Sequence, residues 1–126
     1  YAKQNRMAYT LVQNREGNFS TPNDKSFQAA AAGADWKNAP GFYEILTDEP
    51  GRDSWPITGA TFILMHKAQV DAAKARDVLK FFDWAYQNGD AMALELDYIP
   101  MPDDVVKLVQ TAWKNQIKDS GGKSIW

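Results

Sequence analysis

Thr61-Phe62-Ile63-Leu64-Met65 limits the folds open to this chain of 126 residues more than any other stretch. The run is apolar without alternation, and it is bounded by Pro56 and Gly59 before it and by His66-Lys67 after it. Continuous apolarity in a short bounded run predicts a strand covered on both faces, the habit of a central parallel strand in an α/β layer fold. Such a strand needs neighbours to pair its N–H and C=O groups. The sequence offers one other strand, Ala8 to Gln13 (AYTLVQ), about fifty residues earlier and followed by the turn-forming Asn14-Arg15-Glu16-Gly17-Asn18. Two strands so far apart do not make a stable sheet. The expectation is an α/β fold whose other strands lie in sequence beyond these residues. Tyr1, standing where a Met would open a complete chain, is read the same way, as the start of a processed chain or of a piece of something longer.

The helices are easier to place. Thr21-Pro22-Asn23-Asp24 supplies an N-cap, a proline at the first helical position and an acid at the third, which predicts a helix through Phe27 and Ala29 to Ala32, stopped by Gly33. Its alanines predict close packing against another surface. From Ala34 to Arg52 the pattern is irregular, interrupted by Pro40, Gly41, Pro50 and Gly51, and predicts a short helix and a surface loop. Asp71 caps the most regular helix, in which Ala75, Val78, Leu79, Phe82, Ala85 and Tyr86 form one stripe and Lys74, Asp77, Lys80 and Asp83 lie outside it, with Gly89 placed to end it. A short helix from Met92 to Leu96 is expected after Asp90. A fourth starts at Pro102-Asp103-Asp104, carries the stripe Val105, Val106, Val109, Ala112, Trp113 and Ile117, and has Lys114 and Lys118 at its C-terminal end. Asp119 to Lys123 is polar and glycine-containing, which leaves Ile125-Trp126 as a terminal docking segment.

Composition removes several chemistries. With no Cys there is neither a disulfide framework nor a thiolate metal site, and His66 alone cannot build an N,S-ligated zinc centre. Charge is spread evenly, six cations against seven anions before Ala60 and eight against nine from there on, so the cationic patch of a nucleic-acid binder is not expected. No apolar run approaches the ~20 residues of a membrane helix and no leader pattern opens the chain, so neither a span nor a retained signal peptide is expected. His66 has no Ser or Cys nucleophile beside it in any recognisable arrangement and is expected to be structural or at the surface. Asp48-Glu49 and Asp103-Asp104 are expected to be solvated or capping groups. Phe81, Phe82, Trp84, Tyr86 and Trp113 are expected in core packing, with a sugar-stacking or partner surface as the alternative. Gly121-Gly122-Lys123 lacks the spacing of a phosphate loop and is expected to be a flexible tail. Thr58-Gly59 is the one place where a ligand-adjacent role stands.

Several blocks of the sequence together resemble a known family. Tyr1-Ala2-Lys3-Gln4-Asn5, Ala8-Tyr9-Thr10, Phe27 with Ala30-Ala31, Gly33-Ala34-Asp35-Trp36, Trp55-Pro56-Ile57-Thr58, Thr61-Phe62-Ile63-Leu64-Met65-His66-Lys67, Val78-Leu79-Lys80-Phe81-Phe82-Asp83-Trp84-Ala85-Tyr86, Leu96-Asp97-Tyr98 and Trp113-Lys114-Asn115-Gln116-Ile117-Lys118-Asp119 are similar to the C-terminal part of the periplasmic phosphate-binding proteins of bacterial phosphate ABC transporters. The resemblance runs the length of the chain, and family members are considerably longer. It implies an α/β, two-lobed type II periplasmic binding protein fold, of which this chain would be a helix-rich fragment with few strands of its own. It also implies a receptor that closes around one phosphate, holding it by backbone and hydroxyl donors at helix N-termini, an Arg, and an Asp acceptor that selects a protonated oxyanion.

None of those ligands carries over. The family's motifs, an Arg followed by Ser-Gly-Thr and earlier Thr-Phe, Ser and Asp ligands, lie upstream of the stretch that aligns here, and Arg52-Asp53-Ser54-Trp55 lacks the Gly-Thr. The resemblance implies that the chain crosses between lobes near Ser54 to Gly59. Residues 1–54 would then end one lobe, 55–59 would form the hinge, and 60–126 would belong to the other lobe, with Trp55, Pro56, Thr58 and Gly59 as hinge or cleft-wall residues. Pro56 restricts Trp55 to extended conformations, which suits a crossover. The implied role is phosphate binding for uptake in the periplasm, without reaction, cofactor, metal or nucleic acid, and with inorganic phosphate and the inner-membrane permease as partners. The alternative is a free-standing interaction module that lacks phosphate affinity and completes its sheets in a strand-exchanged dimer.

Overall fold

The computed structural model describes Ala2 and Gln4 to Trp126; Tyr1 and Lys3, part of the first block of the family resemblance, lie outside the described residues. In chain order the elements are β1 (Val12–Gln13), β2 (Phe19–Ser20), α1 (Asp24–Gly33), a 3-10 turn (Pro40–Phe42), β3 (Ala68–Gln69), α2 (Ala72–Asn88), α3 (Asp90–Glu95), α4 (Asp103–Gln116) and β4 (Lys118–Asp119). β1 and β2 form an antiparallel hairpin, and β3 and β4 pair in parallel. The result is a mixed, helix-rich fold with little sheet. Among the described residues, no helix is long and apolar enough to cross a membrane.

Helix α1 begins later than the sequence predicts. Asn23, not Thr21, is the N-cap, because Asn23 and Ser26 satisfy each other's backbone: Asn23 Oδ1 accepts from Ser26 N at 3.1 Å, and Ser26 Oγ accepts from Asn23 N at 3.1 Å. Ser26 Oγ also donates to Thr21 O at 2.6 Å, which leaves Thr21 and Pro22 as the approach to the helix. The alanine face packs closely, as expected: Ala30 and Ala31 are buried, and Ala31 O accepts from Trp36 Nε1 at 2.6 Å. Gly33 ends the helix where a Cβ would collide with the Pro50 carbonyl oxygen.

Helix α2 follows the sequence closely, with Asp71 Oδ1 accepting from Lys74 N at 2.9 Å and Gly89 as the C-cap. Its Ala75 and Leu79 are buried against Trp113 of α4, against Ile117 at the C-cap of that helix and against Ile125, with Met65, Phe82 and Tyr86 packed around them. A second cluster joins Ala31, Trp36, Leu46 and Val105, with Ala60 and Met101 at its edge. Helix α4 thus serves both clusters, Val105 from its first turn and Trp113 from its last. Phe81 and Trp84 depart from the expected packing: both are exposed, because α2 buries only the stripe centred on Leu79. Asp83, placed outside the stripe, is half-buried and accepts from Gln110 Nε2 at 2.7 Å and from Gln87 Nε2 at 2.6 Å.

The tail is docked. Asp119 Oδ1 accepts from Gly121 N at 2.9 Å and from Lys123 N at 2.8 Å, with Gly122 at φ +81°, so the segment expected to be flexible is a tight turn. That turn returns Ile125 to the core, where its carbonyl accepts from Arg76 Nε at 3.1 Å, and sets Trp126 edge-on to Trp113 at 5.5 Å between ring centroids.

The expected strands are the main correction. Ala8 to Gln13 is paired only at Val12–Gln13, and its partner Phe19–Ser20 lacked a signal in the sequence. Thr61 to Met65 belongs to no ladder, and no hydrogen bond among the described residues involves the backbone of residues 60–65. A strand exists only through its partner. The pairing with β4 starts further on: Lys118 N donates to Lys67 O at 2.8 Å, and the ladder covers Ala68 and Gln69.

Leu79 is fully buried at the centre of the α2–α4 cluster. Leu79→Ala is expected to lower unfolding stability by about 2–5 kcal/mol, the range for a core leucine truncated with incomplete collapse of the cavity. Urea unfolding checks it, and a loss below about 1 kcal/mol would show that this cluster does not hold the helices together.

Candidate functional site

The segment from Ser54 to Gly59 is held at one end and open at the other, and the holding begins with Asn14. Asn14 is buried, and its Oδ1 accepts from Glu16 N and Asn18 N, both at 3.1 Å, which closes the β1–β2 turn. Its Nδ2 points across the fold to Arg52 O at 2.8 Å and Ser54 O at 3.1 Å, with Ser20 Oγ at 3.1 Å and Gly51 O at 3.4 Å also in range. Ser20 Oγ donates to Ser54 O at 2.9 Å, and Ser54 Oγ donates to Pro50 O at 2.8 Å. Gly51, at φ +125°, allows the chain to fold back on itself here. No polar side-chain atom buried among the described residues lacks a partner.

Beyond Ser54 the four sequence-predicted residues divide into two pairs. Trp55 is buried, donates its N–H to Ser26 O at 3.0 Å, and lies 6.2 Å from the Phe27 ring at 52°. Pro56 is buried as well, and its carbonyl accepts from Asp48 N at 2.9 Å beside the single Thr47–Ile57 bridge. Thr58 is half-buried, with Oγ1 donating to Trp55 O at 2.9 Å, and Gly59 is exposed with open space around it. Thr58 and Gly59 border a cavity of ≈ 560 Å³, which places this pair, and not Trp55 or Pro56, on its wall.

That cavity is mostly apolar and aromatic, with Tyr9, Phe27, Ile63, Tyr86 and Tyr98 on its walls. Among the described lining residues the charged groups are Asp24, at the first position of α1, and Asp97, with no Lys, Arg or His among them. Asp97 accepts from Gln4 Nε2 at 3.0 Å. Burial pushes the Tyr86 phenol above its ordinary value. An anion at the start of α1 would meet the Asp24 carboxylate, and the Ser26 N–H there already donates to Asn23. Helix N-termini attract anions only where their donors are free and no acid stands in front.

The remaining candidates fall outside this site. His66 is exposed, and its carbonyl accepts from Gln69 Nε2 at 2.7 Å. Asp103 and Asp104 sit in the first turn of α4, where Asp104 meets Lys107 Nζ at 3.1 Å. Asp48, at φ +56°, faces Arg15 Nε at 3.7 Å with both side chains half exposed. Glu49 differs from these: burial, aided by Glu44 and Asp48 and opposed by Arg15, raises its carboxyl above the ordinary value of 4.5. Among the described residues, no cluster of His, Cys, Asp or Glu is arranged to hold a metal. The buried Asn14 was missed at the sequence level, where it reads as one more turn residue.

No family model matches the chain. Individual relatives do. The chain is 47% identical over 126 residues, all of its length, to the phosphate-binding protein PstS of Pasteurella multocida (strain Pm70), and covers 37% of that protein. It is 47% identical over 118 residues to the phosphate-binding protein PstS of Haemophilus influenzae, covering 94% of this chain and 35% of that one. It is 44% identical over 118 residues to the PstS of Xylella fastidiosa (strain 9a5c), covering 94% and 32%. The chain is therefore homologous to part of the phosphate-binding proteins, and it spans about a third of the length of the curated relatives it matches.

Two measurements test the site. Asn14→Ala removes the donor to Arg52 O and one of the two donors to Ser54 O, and is expected to cost about 1–3 kcal/mol, with amide exchange rising at residues 50–56 more than in α2. Equal acceleration everywhere would show that Asn14 does not specifically hold this segment. For Glu49, the folded chain holds the proton more tightly than the unfolded chain. Stability therefore falls as pH rises from 4.5 through the raised value, and the cost persists above it. Glu49→Gln is accordingly expected to raise Tm at about pH 7, with the gain vanishing towards about pH 4.

Proposed function

We propose that this chain is the C-terminal portion of a periplasmic phosphate-binding protein that supplies phosphate to an ABC transporter. Homology along all of its residues to proteins named for phosphate binding carries the reading. In this proposal the lobes divide as residues 1–54 and 60–126, with 55–59 as the hinge of a two-lobed type II fold. The contrast within that segment supports it. Trp55 and Pro56 are tied down by backbone hydrogen bonds, whereas Gly59 has open space around it, so a change of backbone angle there disturbs no packing. The unpaired Thr61–Met65 segment supports the reading of a sheet completed by sequence from the rest of the protein.

The proposal also holds that the main phosphate ligands are elsewhere in the protein. The cavity beside Thr58 and Gly59 has two carboxylates and no cation among its described lining residues, which suits a doubly charged anion poorly. Phosphate would be held with the remaining two thirds of the receptor, and the inner-membrane permease would be the partner that receives it.

A chimera tests the family reading. Replacing the matched stretch of the Pasteurella multocida relative with this chain is expected to give a protein that binds phosphate and rejects sulfate by calorimetry. A folded chimera without phosphate affinity would sink the reading. The 126-residue chain alone is expected to give no saturable heat with phosphate; saturable, sulfate-insensitive binding would place ligands here and overturn the second part of the proposal.

A further inference from the structure

Asn88 and Gly89 form the only Asn-Gly step in the sequence, which has no Asp-Gly step. The pair carries its own chemistry, a side-chain amide next to a backbone nitrogen that no Cβ shields. The fold sets it at the junction of two helices. Asn88 is the last residue of α2 and is exposed to water, and Gly89 is both the C-cap of α2 and the residue before α3. Gly89 N donates to Ala85 O at 2.8 Å, Gly89 O accepts from Ala93 N at 2.8 Å, and Asn88 Nδ2 donates to Trp84 O at 2.9 Å. A Cβ at position 89 would collide with the Ala85 carbonyl oxygen, so the turn itself requires glycine there. All of these contacts are made within residues 84–93, and none of them calls on the remaining two thirds of the protein.

We propose that Asn88 is a site of spontaneous deamidation, gated by opening of the last turn of α2. Gly89 N gives up its proton to hydroxide and attacks Asn88 Cγ. The new C–N bond closes a five-membered succinimide, the Cγ–Nδ2 bond breaks, and ammonia leaves. Water then adds to one of the two ring carbonyls, and the ring opens to aspartate or isoaspartate at position 88. Water is the only co-reactant, and nothing is oxidised or reduced. While the turn is closed both reacting groups are engaged, the nucleophile's hydrogen on Ala85 O and the leaving amide on Trp84 O. Helix ends open at little cost, so the reactive state is reached by local fraying, without loss of the core around Leu79. The product acts on both helices. A carboxylate at position 88 sets a negative charge at the C-terminal end of α2, where the helix dipole disfavours it, and removes the donor to Trp84 O. Isoaspartate also lengthens the main chain by one atom just ahead of Gly89, whose N–H and C=O join α2 to α3.

Peptide mapping by mass spectrometry, with isoaspartyl methyltransferase labelling, follows the reaction while the folded chain is held in mildly alkaline buffer. Product is expected at Asn88 ahead of every other asparagine. In urea, where the turn is open throughout, the rate at Asn88 is expected to rise at least about tenfold. Ala85→Gly replaces the best helix former with a poor one in the last turn, and is expected to raise the folded-state rate about three- to sixfold while leaving the rate in urea unchanged. Asn88→Gln, whose attack would need a six-membered ring, is expected to lose the product. A folded chain that deamidates first at another asparagine overturns the proposal, as does a rate at Asn88 that neither urea nor Ala85→Gly changes. Should Ala85→Gly lose the helical circular dichroism, the ratio of the urea rate to the folded rate in the unmodified chain decides. None of these results bears on the phosphate titration of the chimera, so the two readings fail separately.

Discussion

The carboxamide of Asn14 joins two parts of the chain separated by some forty residues, and the first half of the fold is arranged around it. Its oxygen closes the β1–β2 turn, and its nitrogen fixes the carbonyls of Arg52 and Ser54. With Ser54 fixed, Trp55 is delivered to Ser26 and Phe27, so α1 acquires a surface to pack against. An amide suits this position because it offers a donor and an acceptor on one planar group. A carboxylate would bring a negative charge to a ring of carbonyl oxygens, and an apolar group would take the donor from Arg52 O and leave Ser54 O with Ser20 Oγ alone.

The second half depends on ordinary hydrophobic burial, organised by one helix. α4 presents Val105 to the cluster of Trp36 and Leu46, and Trp113 and Ile117 to the cluster of α2 and the tail. A 14-residue helix is long enough to reach both clusters. Between these two supports runs the stretch from Ile57 to His66, tied at Pro56 behind it and at Lys67 ahead of it, with no backbone hydrogen bond to another described residue from 60 to 65. The proposed hinge and the Thr61–Met65 segment are therefore consecutive parts of one lightly held connection.

Where the sequence misled, the error has one physical source. Thr61 to Met65 has the composition of a strand covered on both faces, yet Phe62, Ile63 and Leu64 are exposed and the segment joins no ladder among the described residues. Whether it becomes a strand depends on a neighbouring edge, which no local pattern records. Phe81 and Trp84 were read as packed because they are aromatic, yet the width of the buried stripe on α2 is decided by what lies opposite, and α4 reaches only as far as Phe82 and Tyr86. Thr58 and Gly59 border a cavity, whereas Trp55 and Pro56, named with them, are held by backbone hydrogen bonds.

Local chemistry by itself determined α2 and α4. Caps, 3.6-residue periodicity and glycine stops act within a few residues of the groups they satisfy, so a single chain displays them in full. Tertiary structure alone decided the long-range role of Asn14 and the unpaired state of Thr61 to Met65 among the described residues, whereas the α1 cap at Asn23 and the turn at Asp119 are made within four residues and were local signals misread. The two long-range outcomes, at Asn14 and at Thr61 to Met65, turn on whether a donor, an acceptor or an edge distant in sequence is near in space. That distance is a property of the folded chain and has no counterpart in the order of its residues.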